Sequence, residues 1–262
     1  MYSRDSVTLR PIGTIRSCFK ECFGTPRQGL LAPASEATLE LAPEFRSQGF
    51  LDGLEDFSHL WLLWHFNQNE KSSKRGKICP PRLAGKKTGV FASRSPHRPN
   101  PLGLSLVRLL EVQADALRIG GVDFIEGTPV FDIKPYLPET DQVMDARSGW
   151  TENLARSDLE VRFANAAEKA LDSLPLPIPR AQFRDLITQS LGLDPRPENY
   201  KSREKIYYFR LYDWDIGFAW NGAIVEVKEI RRFSTPSPME RTRRICALRS
   251  SAPRSAIRAG AD

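Results

Sequence analysis

The sequence predicts a mainly β fold: a small barrel or sandwich, then a smaller α+β C-terminal unit, then a disordered basic tail. Three observations predict it. The first half sets short apolar runs between long loops rich in Gly and Pro, a texture that suits several short strands and few helices. Beyond residue 150 the composition shifts to Ala, Glu, Leu and Arg, with an Asn221-Gly222 pair that signals a hairpin. From Ser234 onward Ser, Pro, Ala and Arg dominate, with too few apolar residues to offset the entropy of ordering. At 262 residues the chain is long for one domain, and the expected boundaries are 7–146, 150–233 and 234–262.

In chain order, Val7, Leu9 and Ile15 sit among polar neighbours and around Pro11 and Gly13, which reads as short extended segments. Phe19 to Ser35 carries Gly24, Pro26, Gly29 and Pro33 and forms a long loop. Ala37, Leu39 and Leu41 alternate with polar or small residues, the period of a half-buried strand. Leu54 to Phe66 is aromatic enough to predict a fully buried strand, with Trp61 and Trp64 in the core. Leu104 to Val112, Leu117 to Phe124 and Thr128 to Ile133 are further strands, separated by turns at Gly120-Gly121 and Glu126-Gly127. Leu154 to Leu174 partly fits a helical stripe that LPLPIP at 174–179 ends. Arg180 to Leu191 has apolar residues at three- and four-residue spacing, with Gly192 placed as a C-cap. Tyr207 to Asp213 and Ile216 to Ile230 read as strands. Their aromatics Tyr207, Tyr208, Phe209, Tyr212 and Trp214, interleaved with Arg203, Lys205 and Arg210, suit either a base-stacking platform or a half-buried sheet.

Composition narrows the function. There is no apolar run of eighteen residues and no secretory signal pattern, so a cytoplasmic protein with no membrane contact is expected. Cys18, Cys22, Cys79 and Cys246 are too few and scattered for a disulfide framework, and no second ligand pair at metal spacing accompanies the first two, so no metal is expected. No G-x-G-x-x-G, Walker loop or G-x-S-x-G elbow is present, which argues against Rossmann, NTPase and common hydrolase chemistry. The net charge is +6, of which 234–262 holds +4, so bulk charge says little about a polyanionic partner. Its distribution says more: nine basic residues and no acidic one lie between Lys71 and Arg98. A solvated loop has the same composition, but this run leads directly into the most unusual stretch of the chain.

That stretch is Thr88 to Leu104, TGVFASRSPHRPNPLGL. Pro96, Pro99 and Pro101 fix their own φ and bias the preceding residues away from helix, making a stiff, irregular loop. On it stand Arg94, His97, Arg98 and Asn100: two guanidinium forks, a group that titrates near neutrality, and an amide. A Pro-rich surface connection is the bland reading. The order of residues argues against it, because RSPHRPNPLG, GTPVFDIKPY at 127–136, PIGTIRS at 11–17, GTPRQG at 24–29 and LEDFSHLWLLWHF at 54–66 together resemble the TsaA-like family of tRNA methyltransferases, TrmO, over Val7 to Asp145.

The resemblance implies a TsaA-like β-barrel core, a homodimer, and S-adenosylmethionine as methyl donor to the exocyclic amine of threonylcarbamoyl-adenosine at position 37 of tRNA. It implies cofactor contacts at Pro26, Arg27, Gln28, His65, Phe66, Arg94, Leu104, Asp123, Phe124, Ile125 and Glu126. His97 and Asp132 become candidate proton acceptors, and Arg98 and Asn100 candidate holders of the modification's carboxylate or carbonyls. The tRNA path is expected along Lys74, Arg75, Lys77, Lys86 and Lys87, with Lys134 and Tyr136 at the edge of the site. By residue type alone His59 and His65 also read as core histidines, and Asp132, Lys134 and Tyr136 as a solvated strand face. Two rival functions remain open at this point: a non-catalytic RNA-binding module, and a small-molecule-binding barrel with an incidental basic run.

Overall fold

The computed structural model describes residues 7–46, 49–69, 76–80, 83, 85–152, 159–195, 206–221 and 224–234. Eight strands occupy its first half: β1 (Gly13–Ser17), β2 (Glu36–Leu41), β3 (His59–His65), β4 (Lys77–Ile78), β5 (Thr88–Gly89), β6 (Leu102–Val112), β7 (Ala116–Gly120) and β8 (Pro129–Pro135). Six of them close a barrel in the order β1-β2-β7-β6-β3-β8, every neighbour antiparallel and β8 returning to β1. Of the two expected forms, the barrel is the one observed. β4 and β5 form a separate two-stranded ribbon, Lys77 opposite Gly89 and Ile78 opposite Thr88.

Alternation fills the barrel: Ile15, Leu39, Leu60, Leu62, Val107, Leu117 and Ile119 point inward and are completely buried. β3 departs from the sequence expectation. Its residues are alternately buried and half-exposed, since a closed barrel has an inner and an outer face and only the inner one is packed. Trp64 is inside, but Trp61 lies half-buried on the outer face, where its ring N–H donates to Asp141 Oδ2 at 3.0 Å on the short helix α1 (Pro138–Asp141). His59 and His65 share that outer face and are likewise half-exposed, not core histidines. β7 ends at Gly120, earlier than expected, because Gly121 takes a φ of 68° and turns the chain across the barrel end.

The second unit is a four-stranded sheet, ordered β10-β11-β12-β9, covered by two helices. Its elements are β9 (Glu160–Phe163), α2 (Asn165–Ser173), α3 (Arg180–Gly192), β10 (Tyr207–Leu211), β11 (Trp214–Asn221) and β12 (Ile224–Arg232). Of the helix expected over Leu154 to Leu174, residues 154–158 lie outside the described residues, Val161 and Phe163 belong to a strand that pairs parallel with β12, and the helix occupies Asn165–Ser173. Ladder pairing outweighs the weak helix propensity of that segment. In α3, Gly192 is the last helical residue and not the cap; Asp194 takes the left-handed conformation, φ 49°. The aromatic platform is also corrected. Tyr207, Tyr208, Phe209 and Trp214 are all buried, so they build the sheet's core and offer no stacking surface. The Arg203 and Lys205 interleaved with them, Gly222 of the hairpin turn and the tail 235–262 lie outside the described residues.

The sheet unit grips the long loop between β1 and β2. Phe19 bridges to Leu211, the Tyr212 N–H donates to the Cys18 carbonyl at 2.7 Å, and Gln189 Oε1 accepts the Ala34 N–H at 2.8 Å. Gly24, at φ 87°, lies so close to the Phe209 ring that a Cβ would overlap it. Cys18 is buried in this seam, where burial pushes its thiol up to about 12; Cys18, Cys22 and Cys79 are free thiols. Among the described residues no helix is long and apolar enough to cross a membrane, and no cluster of His, Cys, Asp and Glu is arranged to hold a metal ion.

Candidate active site

Strand direction decides where the site forms. In this antiparallel barrel the β1–β2, β3–β6 and β7–β8 connections all emerge at the same end. They carry Gln28, Arg94 and Asp123, residues with no common sequence neighbourhood, and bring them together. Arg94 Nη1 donates to Gln28 Oε1. The Asp123 carboxylate accepts the Ser105 hydroxyl at 2.7 Å and is also hydrogen-bonded by the Gly29 amide, with the Arg94 charge nearby. Ser105 in turn accepts the Trp64 ring N–H at 3.0 Å. A polar chain therefore runs from the barrel interior, Trp64 to Ser105 to Asp123, out to the exposed guanidinium of Arg94.

Burial pushes the Asp123 carboxyl up to about 6, against the hydrogen bonds from Ser105 and Gly29 and the Arg94 charge, which act to lower it. A carboxylate held under such conditions is a directed acceptor for hydroxyl or ammonium donors. Its neighbours have different work. Phe124 is completely buried beneath the rim, edge-on to Trp64 at 5.3 Å. Glu126, despite burial that pushes it up, is held below the ordinary range by Lys20 at 2.9 Å and the Ser17 N–H at 2.7 Å, with Arg16 at 3.3 Å. It braces the rim to β1. Pro26 is buried and Arg27 exposed on the same loop as Gln28, and Ile125 lies half-buried between Phe124 and Glu126.

The motif loop is stiffened by its own side chains. Arg98 Nη1 donates to the Ser93 carbonyl at 3.2 Å, Asn69 Nδ2 to the Pro96 carbonyl at 2.8 Å, and the Phe66 N–H to the Pro101 carbonyl at 2.9 Å. Trp150 ties down the other flank through its ring N–H to the Ala92 carbonyl at 2.7 Å. His97 and Asn100 are exposed. Phe66 packs on Trp64 at 4.2 Å, and His65 lies 6.0 Å from the Phe131 ring. Leu104 is 58% exposed on the outer face, in a cross-strand row with Leu63 and Asp132. Asp132 pairs with Lys134 at 3.0 Å, and Tyr136 meets the rings of Trp61 and His59 at 6.0 and 6.3 Å. Asp132, Lys134 and Tyr136 thus line the outer face of β8 and its exit, while Gln28, Arg94 and Asp123 converge at the rim.

Lys77, Lys86 and Lys87 are exposed on the β4–β5 ribbon and its connection, next in the chain to the motif loop. Lys71, Lys74, Arg75 and Arg82 lie outside the described residues. Ser105 and Trp64 were not candidates from the sequence. Inside a strand they read as ordinary members, and only the closed barrel shows that Trp64 meets Ser105 and Ser105 meets Asp123.

Comparison with known proteins fits this geometry. The tRNA-methyltransferase O N-terminal domain matches residues 14–142, and the TrmO C-terminal domain matches 156–233. The chain belongs to the TrmO family. A putative S-adenosylmethionine-dependent methyltransferase, RcsF, of Pseudomonas aeruginosa is 44% identical over 211 residues, 80% of this chain and 90% of that protein. The tRNA (adenine(37)-N6)-methyltransferase of Escherichia coli is 38% identical over 229 residues, 85% and 97% of the two chains. The crystal structure of TrmO from Pseudomonas aeruginosa superposes with a TM-score of 0.70 at 38% identity, covering 86% of this chain and 99% of that one. The TrmO match reaches through both the barrel and the sheet unit, farther than the 7–145 stretch legible in the motifs.

Because the folded-state pKa of Asp123 stands above its ordinary 3.8, the native chain binds this proton more tightly than the unfolded chain does. Its contribution is complete below the unfolded pKa and is lost as pH rises through about 6. Asp123→Asn is expected to raise the melting temperature more at about pH 7.5 than at about pH 4.5. Thermal melts showing an equal effect at both pH values would detach the carboxyl from this cost.

Proposed function

We propose that this chain is an S-adenosylmethionine-dependent tRNA methyltransferase that methylates the exocyclic amine of adenosine 37, with the threonylcarbamoyl-modified base as its substrate. The observation that carries the reading is the convergence of Gln28, Arg94 and the half-buried Asp123 on one rim, beside a stiff loop presenting His97, Arg98 and Asn100. The residues fit the cofactor: an exposed guanidinium suits its carboxylate, and a half-buried carboxylate suits its hydroxyl or ammonium donors. Pro26, Arg27, His65, Phe66, Leu104, Ile125 and Glu126 complete the set that the family resemblance proposes. When bound, S-adenosylmethionine supplies an electrophilic methyl group on a positively charged sulfur.

The chain's own residues have two roles, positioning and proton removal. An amine conjugated to both a purine ring and a carbonyl is a poor nucleophile, so it must be oriented and must lose its proton. We assign the proton to His97 or Asp132. Arg98, one of whose N–H groups already braces Ser93, and Asn100 hold the carboxylate or carbonyls of the modification. Anticodon-loop bases are already unpaired, so little duplex energy is spent in reaching the amine. The basic ribbon tracks phosphates toward the rim, and a tRNA substrate places the enzyme in the cytoplasm. The outer face of β3 leaves the half-exposed Leu63 and Trp61 open, and we assign it to a second copy of the chain in a homodimer.

Purified protein incubated with methyl-labelled S-adenosylmethionine and tRNA, then digested to nucleosides, should place the label on threonylcarbamoyl-adenosine; label on unmodified adenosine, or none, would refute the substrate assignment. Arg94→Ala is expected to stay folded and lose at least tenfold in cofactor affinity, as calorimetry would show. Changing Lys77, Lys86 and Lys87 to Gln should lower the magnitude of the log-log salt slope of tRNA binding by about two, with cofactor affinity unchanged. Light scattering is expected to find a dimer that Leu63→Arg turns into a folded monomer, and a monomeric wild type at working concentration removes the homodimer.

A further inference from the structure

We propose that the cleft between the loop segment Cys22–Arg27 and the C-terminal end of α3 receives an unpaired nucleobase of the RNA substrate. The inference rests on the tRNA methyltransferase reading and names a contact that reading does not include. The cleft encloses about 170 Å³ between Phe23, Pro26 and Arg27 of the loop and Ser190, Leu193 and Asp194 at the helix end. That is well below the roughly 300–1,000 Å³ of sites for drug-sized molecules and suits a single flat heterocycle. Its walls are firm: Phe23 is stacked on Phe218 at 6.2 Å and 20°, and Pro26 is buried.

Ser190 supplies the second observation. It is 2% exposed and lines the cleft, yet its hydroxyl finds no hydrogen-bond partner among the described residues. A buried hydroxyl without a partner lowers stability and asks for an explanation. Because a hydroxyl both donates and accepts, the edge of any base satisfies it. Apolar walls from Phe23, Pro26 and Leu193 with the buried Ser190 hydroxyl among them suit a base held by stacking and an edge contact, as single-stranded RNA bases are.

Gln28, Arg94 and Asp123 do not line the cleft, although Pro26 and Arg27 of the proposed cofactor set do. The cleft is joined to those three, because Arg27 immediately precedes Gln28. The same segment is seated on the sheet unit, where Glu21 Oε1 accepts the Arg210 N–H at 3.1 Å. A base held here contacts both units at once and pins the strip of backbone that presents Gln28 to Arg94.

The test uses the full-length protein and two variants. Ser190→Ala removes the hydroxyl, and Leu193→Trp fills the cleft. For Ser190→Ala the expected result is a melting temperature equal to or above wild type, unchanged calorimetric affinity for S-adenosylmethionine, and a KM for tRNA raised about three- to tenfold with kcat retained. Leu193→Trp should raise that KM at least as much. If wild type methylates tRNA and Ser190→Ala keeps its KM, the nucleobase site is overturned while the methyltransferase reading stands, and a lower melting temperature with that unchanged KM makes Ser190 a structural residue only. If Ser190→Ala weakens S-adenosylmethionine and leaves tRNA untouched, the cleft holds the cofactor's adenine and the proposal is again overturned. A wild type that methylates no tRNA overturns the methyltransferase reading and this inference with it.

Discussion

Once β8 pairs with β1 and six antiparallel strands close, the barrel has no spare edge and no freedom in where its connections emerge. Successive connections must alternate between its two ends, and here 18–35, 66–101 and 121–128 share one end while 42–58 emerges at the other. Gln28, Arg94, His97 and Asp123 all lie in those three loops. The barrel also decides what stands beneath them. Trp64 and Ser105 point inward from adjacent strands and meet at 3.0 Å, so the hydroxyl that orients Asp123 is itself fixed from the core. A carboxyl pushed up to about 6 by burial stays in place because this support leaves it few other positions.

The loop from Cys18 to Ser35 is shaped from outside the barrel as much as from within. Its backbone meets Leu211, Tyr212 and Gln189 of the sheet unit, and Glu36 at its far end accepts the Gln182 side-chain N–H at 2.7 Å. A glycine- and proline-rich segment gains little from its own residues, so its conformation is borrowed from the two bodies it lies between. This makes the sheet unit part of the rim's architecture. The aromatics of that unit are committed to holding it together and to seating the loop. Phe209 packs against Gly24, and Tyr207, Phe218 and Trp220 pack edge-on or tilted against one another at 4.8 to 6.1 Å.

Charge is arranged by contrast at the periphery. The ion pairs that Arg16, Lys20 and Arg118 make with Glu40, Glu126, Glu36 and Glu111 tie neighbouring barrel elements together. Exposed pairs of this kind add little to stability, and they neutralise the flank of the barrel. The exposed lysines Lys77, Lys86 and Lys87 of the ribbon lie instead in a stretch of sequence with no acidic residue, beside the motif loop, so the field there stays positive.

By itself the sequence determined the classes of structure and the stiff loop. Two-residue alternation marked β2, the Asn221-Gly222 pair marked the β11–β12 hairpin, three prolines excluded regular structure around His97, and five motifs in order pointed to the family. These are local signals, written in backbone restriction and side-chain period, and they need no knowledge of neighbours. It did not determine the strand at Glu160–Phe163, the outward face of Trp61, or the burial of the Tyr207 to Trp214 aromatics. Each of those depends on a partner distant in the chain: a parallel edge on β12, the closure of the barrel, and two covering helices. The site divides in the same way. Arg94 and its loop were legible because their chemistry is local, whereas Ser105, Trp64 and the half-buried state of Asp123 were decided by tertiary structure alone, because desolvation and hydrogen-bond geometry are properties of what surrounds a group and not of the group.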